Sequence, residues 1–157
     1  MKVDVAIVGS GFAGSFCALV LRRLGRTVAV IDRARHPRFA IGESSTPAAN
    51  LVLRALCDRY DLTALRPLTN YGTWKAAYPR LGVGRKRGFS YFQHVAGEAF
   101  VPHAGHSNEL LVTASPSDER SDTQWLRADV DTFFATQVRE AGIPLLEDTD
   151  VHSIRSD

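Results

Sequence analysis

Three glycines, Gly9, Gly11 and Gly14, follow directly on an apolar run at residues 3–8, and an acid, Asp32, closes a second apolar run 18 residues after Gly14. The spacing G-x-G-x-x-G suits phosphate binding rather than proton transfer. The first glycine permits a tight turn, the second lets backbone approach a pyrophosphate, and the third lets a helix pack closely on a strand. Ser10, Phe12 and Ala13 complete the turn, whose free N–H groups and helix dipole favour an anion. Asp32 is placed to accept hydrogen bonds from a ribose 2′-OH, and its charge disfavours a 2′-phosphate there. Arg33 and Arg35 follow it and partly offset that charge.

Other reactive side chains form no comparable set. His94, His103 and His106 are spaced by nine and three residues without the cysteine or acidic partners of a zinc site, so no metal centre is expected. Gly9-Ser10-Gly11 is not a nucleophile elbow. Cys17 and Cys57 lie in apolar periodic stretches and read as small core residues, compatible with a reducing compartment. The aromatics Tyr91, Phe92, Phe100, Phe133 and Phe134 read as core.

The phosphate turn needs a strand before it and a helix after it. Residues 3–8 read as a buried strand, the segment after Gly11 as a helix to about Leu24 with Gly25 as its stop, and residues 27–32 as a second strand. Strand, helix and strand in about 30 residues make a parallel βαβ unit. Thr46 and Pro47 carry the signature of a helix start, with the helix ending near Arg59. Residues 88–94 and 110–114 read as strands, 116–122 as a polar loop, and a third helix begins near Asp129 and stops at Gly142. Residues 144–147 and 151–154 are short strand candidates.

Composition narrows the function classes. A net charge of +2 without a Lys/Arg block leaves no footprint for nucleic acid, and 45% hydrophobic residues exclude a disordered tail. Residues 5–21 carry no charge, yet they contain three glycines, lack a basic leader and reach only the short limit of a membrane span. They read as two buried elements joined by a turn. The expectation is a cytoplasmic protein with no membrane span.

The βαβ unit followed by Gly42-Glu43-Ser44-Ser45-Thr46-Pro47 resembles the FAD-dependent monooxygenase and halogenase superfamily, and the GES-x-x-P stretch is most similar to the flavin-dependent halogenases. The resemblance implies a Rossmann-like, glutathione-reductase-like α/β fold with FAD as cofactor. It places Gly42, Glu43 and Ser44 near the flavin, and gives the ribose role to either Glu43 or Asp32. Trp125-Leu126-Arg127 with Asp131 is similar to the W-x-R-x-x-x-D start of a helix in these flavoproteins, which gives Arg127 a place facing FAD. Thr73-Trp74-Lys75-Ala76-Ala77, 32 residues beyond Glu43, resembles the lysine stretch of tryptophan-type halogenases, and Ser90-Tyr91-Phe92-Gln93-His94 resembles the aromatic stretch after it. This nominates Lys75 as the catalytic lysine that polarises or carries the halogenating species. The alternative register puts Lys86, in Lys86-Arg87-Gly88, on the Lys-x-Gly stretch of phenol and pyrrole halogenases.

The resemblance implies an oxidoreductase of halogenase or monooxygenase type, acting on a small organic substrate through reduced FAD and oxygen, with a flavin reductase or NAD(P)H as electron source. A geranylgeranyl-reductase-like flavoprotein and a non-catalytic nucleotide-binding module are the alternatives. The expected organisation is residues 1–62 as the FAD-binding βαβ unit with the following helix, 63–123 as a β-rich insertion toward the substrate side, and 124–157 as a return segment of the FAD-binding domain. The family's later Gly-Asp segment and Trp-x-Trp-x-x-Pro motif have no counterpart in the 157 residues, and Trp74 and Trp125 are isolated. The expectation is therefore an incomplete, amino-terminal portion with a half-built flavin site, inactive alone, weak in FAD affinity and poorly soluble.

Overall fold

The computed structural model describes residues 1–113 and 115–155. The amino-terminal unit forms as its pattern requires. Strand β1 (Val5–Val8), helix α1 (Phe12–Arg23) and strand β2 (Val28–Ile31) make a βαβ unit, with Val5 opposite Val28 and Val8 opposite Ile31 in a parallel ladder. A third parallel strand, β8 (Leu145–Leu146), pairs with the far edge of β2. The central strand is thus covered on both sides, and Val28, Ala29 and Val30 are buried. Helix α1 ends where Gly25 takes φ +77°, a left-handed value that favours glycine.

A second, antiparallel sheet carries the rest of the site. Its strand order is β3 (Glu43–Ser44), β7 (Asp122–Trp125), β4 (Val83–Lys86). Strand β7 is central, with Glu43 opposite Trp125 on one side and Lys86 opposite Asp122 on the other. This sheet takes β3 from the stretch 1–62 and β4 from 63–123, and β7 straddles the boundary between 123 and 124. Helix α2 (Pro47–Arg59) starts at Thr46, whose hydroxyl accepts from the Ala49 amide at 3.2 Å. Helix α3 (Tyr71–Ala77) is capped in the same way by Asn70. Helix α4 (Arg127–Glu140) lies against α1, and Gly142 closes it at φ +69°.

Two layers of packing join the sheets. Phe16 meets Phe134 at 6.3 Å between α1 and α4, and Trp125 makes a T-shaped contact with Phe12 at 5.1 Å and lies 6.0 Å from Trp74. Each such aromatic pair adds about 1 kcal/mol beyond its buried area. The Trp125 indole N–H donates to the Thr123 hydroxyl at 2.9 Å, so its polar edge is satisfied.

Several expectations are corrected. Strands β4 and β7, the two-residue β3 and helix α3 do not show in the apolar pattern, because they are short and rich in polar residues or glycine. Residues 151–154 form no strand. The ribbon of β5 (Gly88–Phe92) and β6 (Glu109–Thr113) lies apart as a two-stranded sheet, so Tyr91 and Phe92 are exposed rather than core. The expected strand at 110–114 includes Ala114, which lies outside the described residues, as does Asp157 at the chain end. Phe134 is buried as expected. Cys17 is exposed on α1, whereas Cys57 is buried and its thiol is pushed up to about 11, chiefly by burial.

The third glycine of the turn gives the first test. A Cβ on Gly14 would sit 2.0 Å from the Gly9 carbonyl oxygen and 3.3 Å from Ile7. Gly14→Ala must separate α1 from β1, and we expect a loss of about 3 kcal/mol or more of stability in urea unfolding. Gly25→Ala, which meets no neighbour, is expected to cost only about 1 kcal/mol, from its left-handed φ.

Candidate functional site

The carboxyl ends of β1 and β2 open into a cleft of about 580 Å³ lined by Gly9, Asp32, Arg33, Arg38, Phe39 and Thr149 among others. This is where an open parallel sheet places a nucleotide. Gly9 bridges β1 to the turn at φ +105°, and its amide donates to the Ile31 carbonyl at 2.7 Å. Ser10 is fully buried, and Gly11, Phe12, Ala13 and Gly14 carry the chain into the first turn of α1.

Asp32 is 6% exposed and already engaged. Its Oδ2 accepts from the Ser10 amide at 2.7 Å and the Ser10 hydroxyl at 2.6 Å, and its Oδ1 accepts from the Ala34 amide at 2.9 Å. Burial raises the pKa of this carboxyl, but the Ser10 hydroxyl, the two amides and the Arg38 charge outweigh it and bring it down to about 2. The Ser10 hydroxyl gives its proton to Asp32, so it accepts at 2.7 Å from His36 Nε2, which holds the ring proton. Burial lowers the pKa of His36, consistent with a neutral ring. Asp32 therefore ties the end of β2 to the phosphate turn.

A cluster of two arginines held by three acids lies over the turn. The Arg127 guanidinium binds fully buried Asp131 through Nε and a terminal nitrogen, both at 2.9 Å, and binds Glu43 at 3.0 Å. It also lies 4.8 Å from the centroid of the Phe12 ring. Asp131 accepts from the Phe12 amide at 3.1 Å and so caps α1, for which Gly11 has no side chain to offer. Arg38 reaches between Asp32 at 3.5 Å and Asp131 at 3.9 Å, and its buried Nε has no partner among the described residues. A Cβ on Gly11 would lie 3.3 Å from Arg127 and 3.6 Å from Arg38. The open face of the turn is thus lined by two guanidiniums, a donor set that matches a diphosphate.

The structure brings Glu43, Arg127, Asp32 and the glycine turn together. Arg33 is exposed at the cleft, and Gly42 and Ser44 flank Glu43 beside Trp125 and Gln124. Lys75 stands apart. Its ammonium folds onto the Pro79 carbonyl at 2.8 Å, four residues on, and bonds to none of the other site residues. Lys86 is half-buried on β4; its Nζ donates to the Ser45 carbonyl at 2.8 Å and sits 3.8 Å over the Phe89 ring. Sequence reasoning missed Arg38, which lies in an irregular basic loop where no spacing distinguishes it from Arg33 or Arg35.

The fold and the turn define a dinucleotide-binding α/β protein. Residues 4–130 match the family described as FAD dependent oxidoreductase, and the chain belongs to that family. It is 29% identical over 154 residues to the monodechloroaminopyrrolnitrin halogenase PrnC of Pseudomonas fluorescens, covering 98% of this chain and 26% of that protein. It is 32% identical over 130 residues to the tetracycline 7-halogenase of Kitasatospora aureofaciens, covering 83% and 22%. The crystal structure of halogenase PltM in complex with phloroglucinol and FAD superposes with a TM-score of 0.79 at 28% identity, over all of this chain and 30% of that one. The chain spans about a quarter of the length of the curated relatives it matches. The βαβ fold and the FAD-type cofactor class expected from the sequence agree with these findings. No helix among the described residues is long and apolar enough to cross a membrane.

The low pKa of Asp32 has a testable sign. A carboxyl held at about 2 in the fold against an ordinary 3.8 adds stability that is complete above about pH 4 and lost as the pH falls through 2. Urea unfolding between pH 6 and pH 2 is expected to show this acid-side decline, and Asp32→Asn is expected to lower stability at pH 6 while flattening the slope.

Proposed function

We propose that the chain is the FAD-binding portion of a flavin-dependent halogenase that acts on an electron-rich aromatic ring, with a separate flavin reductase or NAD(P)H as the source of electrons. Bound FAD, once reduced, supplies the reaction with oxygen that generates the halogenating species. In this reading the backbone of Gly9, Ser10, Gly11, Phe12, Ala13 and Gly14 holds the diphosphate, Arg127 and Arg38 donate hydrogen bonds to it, and Asp32 with Arg33 bounds the adenosine end. Gly42, Glu43 and Ser44 line the path toward the ring system. Glu43 fixes Arg127 by its ion pair, which leaves the ribose to Asp32 through whatever acceptor capacity Ser10 does not use. Residues 1–62 and 124–157 then form the cofactor unit, and 63–123 the side facing substrate. The two free cysteines suit a cytoplasmic setting.

The observation that carries halogenation over hydroxylation is Lys86. Of the two candidate lysines it alone bonds the Gly42–Glu43–Ser44–Ser45 segment, through the Ser45 carbonyl. Burial lowers its pKa. Its Nζ is suited to donate a hydrogen bond to hypohalous acid or, deprotonated, to accept the halogen. We therefore assign the role first given to Lys75 to Lys86. The substrate class is supported by relatives named for tetracycline and pyrrolnitrin chemistry, and by the phloroglucinol bound in PltM.

The test is halogen incorporation by the full-length protein. Lys86→Met is expected to lower it by about 100-fold or more with flavin binding retained, and Lys75→Met to leave it within about twofold. Full activity of Lys86→Met would refute the assignment.

A further inference from the structure

Lys86 is paired across the antiparallel ladder with Asp122, an acid that the sequence patterns single out for no role. In such a pair the two side chains leave the sheet on the same face. Asp122 is 5% exposed. Its Oδ1 accepts from the Asn50 side-chain amide at 2.7 Å, and its Oδ2, also buried, has no hydrogen-bond partner among the described residues. A buried carboxylate oxygen with no donor calls for an explanation, because desolvation of that charge is costly. The facing lysine acts on it through charge alone, because its Nζ is bonded to the Ser45 carbonyl, and a cleft adjoins it. Asp122 lines a polar cleft of about 450 Å³ between the start of α2 and the segment before β7, together with Asn50, Arg54, Asn70, Ser115 and Arg120. It thus stands between the Lys86 strand and a route to solvent.

Resting on the assignment of Lys86 above, we propose that Asp122 is a positioning residue that sets the protonation state of the Lys86 amine. The exchange is a simple one. The ammonium and carboxylate together become amine and carboxylic acid when one proton moves from Lys86 Nζ to the Asp122 carboxylate, with no net gain or loss of protons by the pair. Burial moves both groups toward that neutral pair, lowering Lys86 and raising Asp122, while each opposes the shift of the other through its charge. The remaining charges around the pair are Arg54 from α2 and Arg120 from the β6–β7 connection, which line the cleft. Arg85 and Arg87, which flank Lys86 on β4, are both paired with Asp118. Among the described residues of this group, Asp122 is the acid whose charge acts on Lys86.

The experiment is competitive acetylation of the full-length protein with trace acetic anhydride from pH 6 to 11, with Lys86 followed by mass spectrometry. Asp122→Asn keeps the volume and removes the charge. It is expected to shift the Lys86 midpoint down by about one pH unit, a roughly tenfold gain in reactive amine near neutral pH. An unchanged midpoint in a folded variant overturns the proposal. If Asp122→Asn does not fold, the reciprocal measurement decides: carbon-13 titration of the Asp122 carboxyl in Lys86→Met. A rise in its midpoint supports the coupling and no change overturns it. The labelling reads the amine whatever reaction it serves, so a Lys86→Met enzyme that still halogenates would refute the functional assignment while leaving the coupling intact.

Discussion

The fully buried carboxylate of Asp131 is the point on which the site depends. It comes from α4, more than a hundred residues after the turn, and accepts from the first amide of α1 while receiving Nε and one terminal nitrogen of Arg127. A buried charge of this kind is tolerated only when nearly every lone pair is used, and removing one partner costs far more than the pair contributes. Asp131 therefore fixes three things at once: the cap on α1, the docking angle of α4 on α1, and the height of the Arg127 guanidinium over Gly11. Glu43 and Phe12 then confine the remaining faces of that guanidinium.

From that anchor the chemistry separates into two regions joined by β7. At the amino-terminal end, a parallel sheet and a glycine turn form an anion site whose own cations are held in advance by acids. The arrangement limits reorganisation when a diphosphate arrives, because Arg127 and Arg38 are already over the turn. Along β7, Trp125 packs on Phe12 near the anion site, and Asp122 pairs with Lys86 at the other end of the same strand. Four residues of one strand thus connect the cofactor side to the lysine side. Shifting that strand by one residue would turn Asp122 away from Lys86 and Trp125 out of the core.

Legibility in the sequence follows how local each constraint is. The glycine turn was readable because its requirements are stereochemical: Gly9 needs φ +105°, and Gly14 has the Gly9 carbonyl where a Cβ would be. Thr46-Pro47 was readable for the same reason, as a cap fixed within four residues. Strand β7, Asp-Thr-Gln-Trp, was not, because its buried polar residues are satisfied by partners such as Ser45 and Asn50 that lie more than 70 residues away. The resemblance favoured Lys75 with Lys86 as the alternative register, and only the fold shows that one bonds its own turn and the other the Ser45 carbonyl. The exposure of Tyr91 and Phe92 likewise belongs to the ribbon's two-stranded geometry, not to its composition.

The central claim is that the glycine turn with Arg127, Arg38 and Asp32 holds the adenosine diphosphate half of FAD. Titrating the protein with FAD and with FMN, followed by quenching of flavin fluorescence, tests it most directly, because FMN has the flavin and one phosphate but lacks the rest. The account predicts FAD affinity at least about tenfold above FMN, with ADP competing for FAD. Equal affinity for the two flavins, or no competition by ADP, would contradict it.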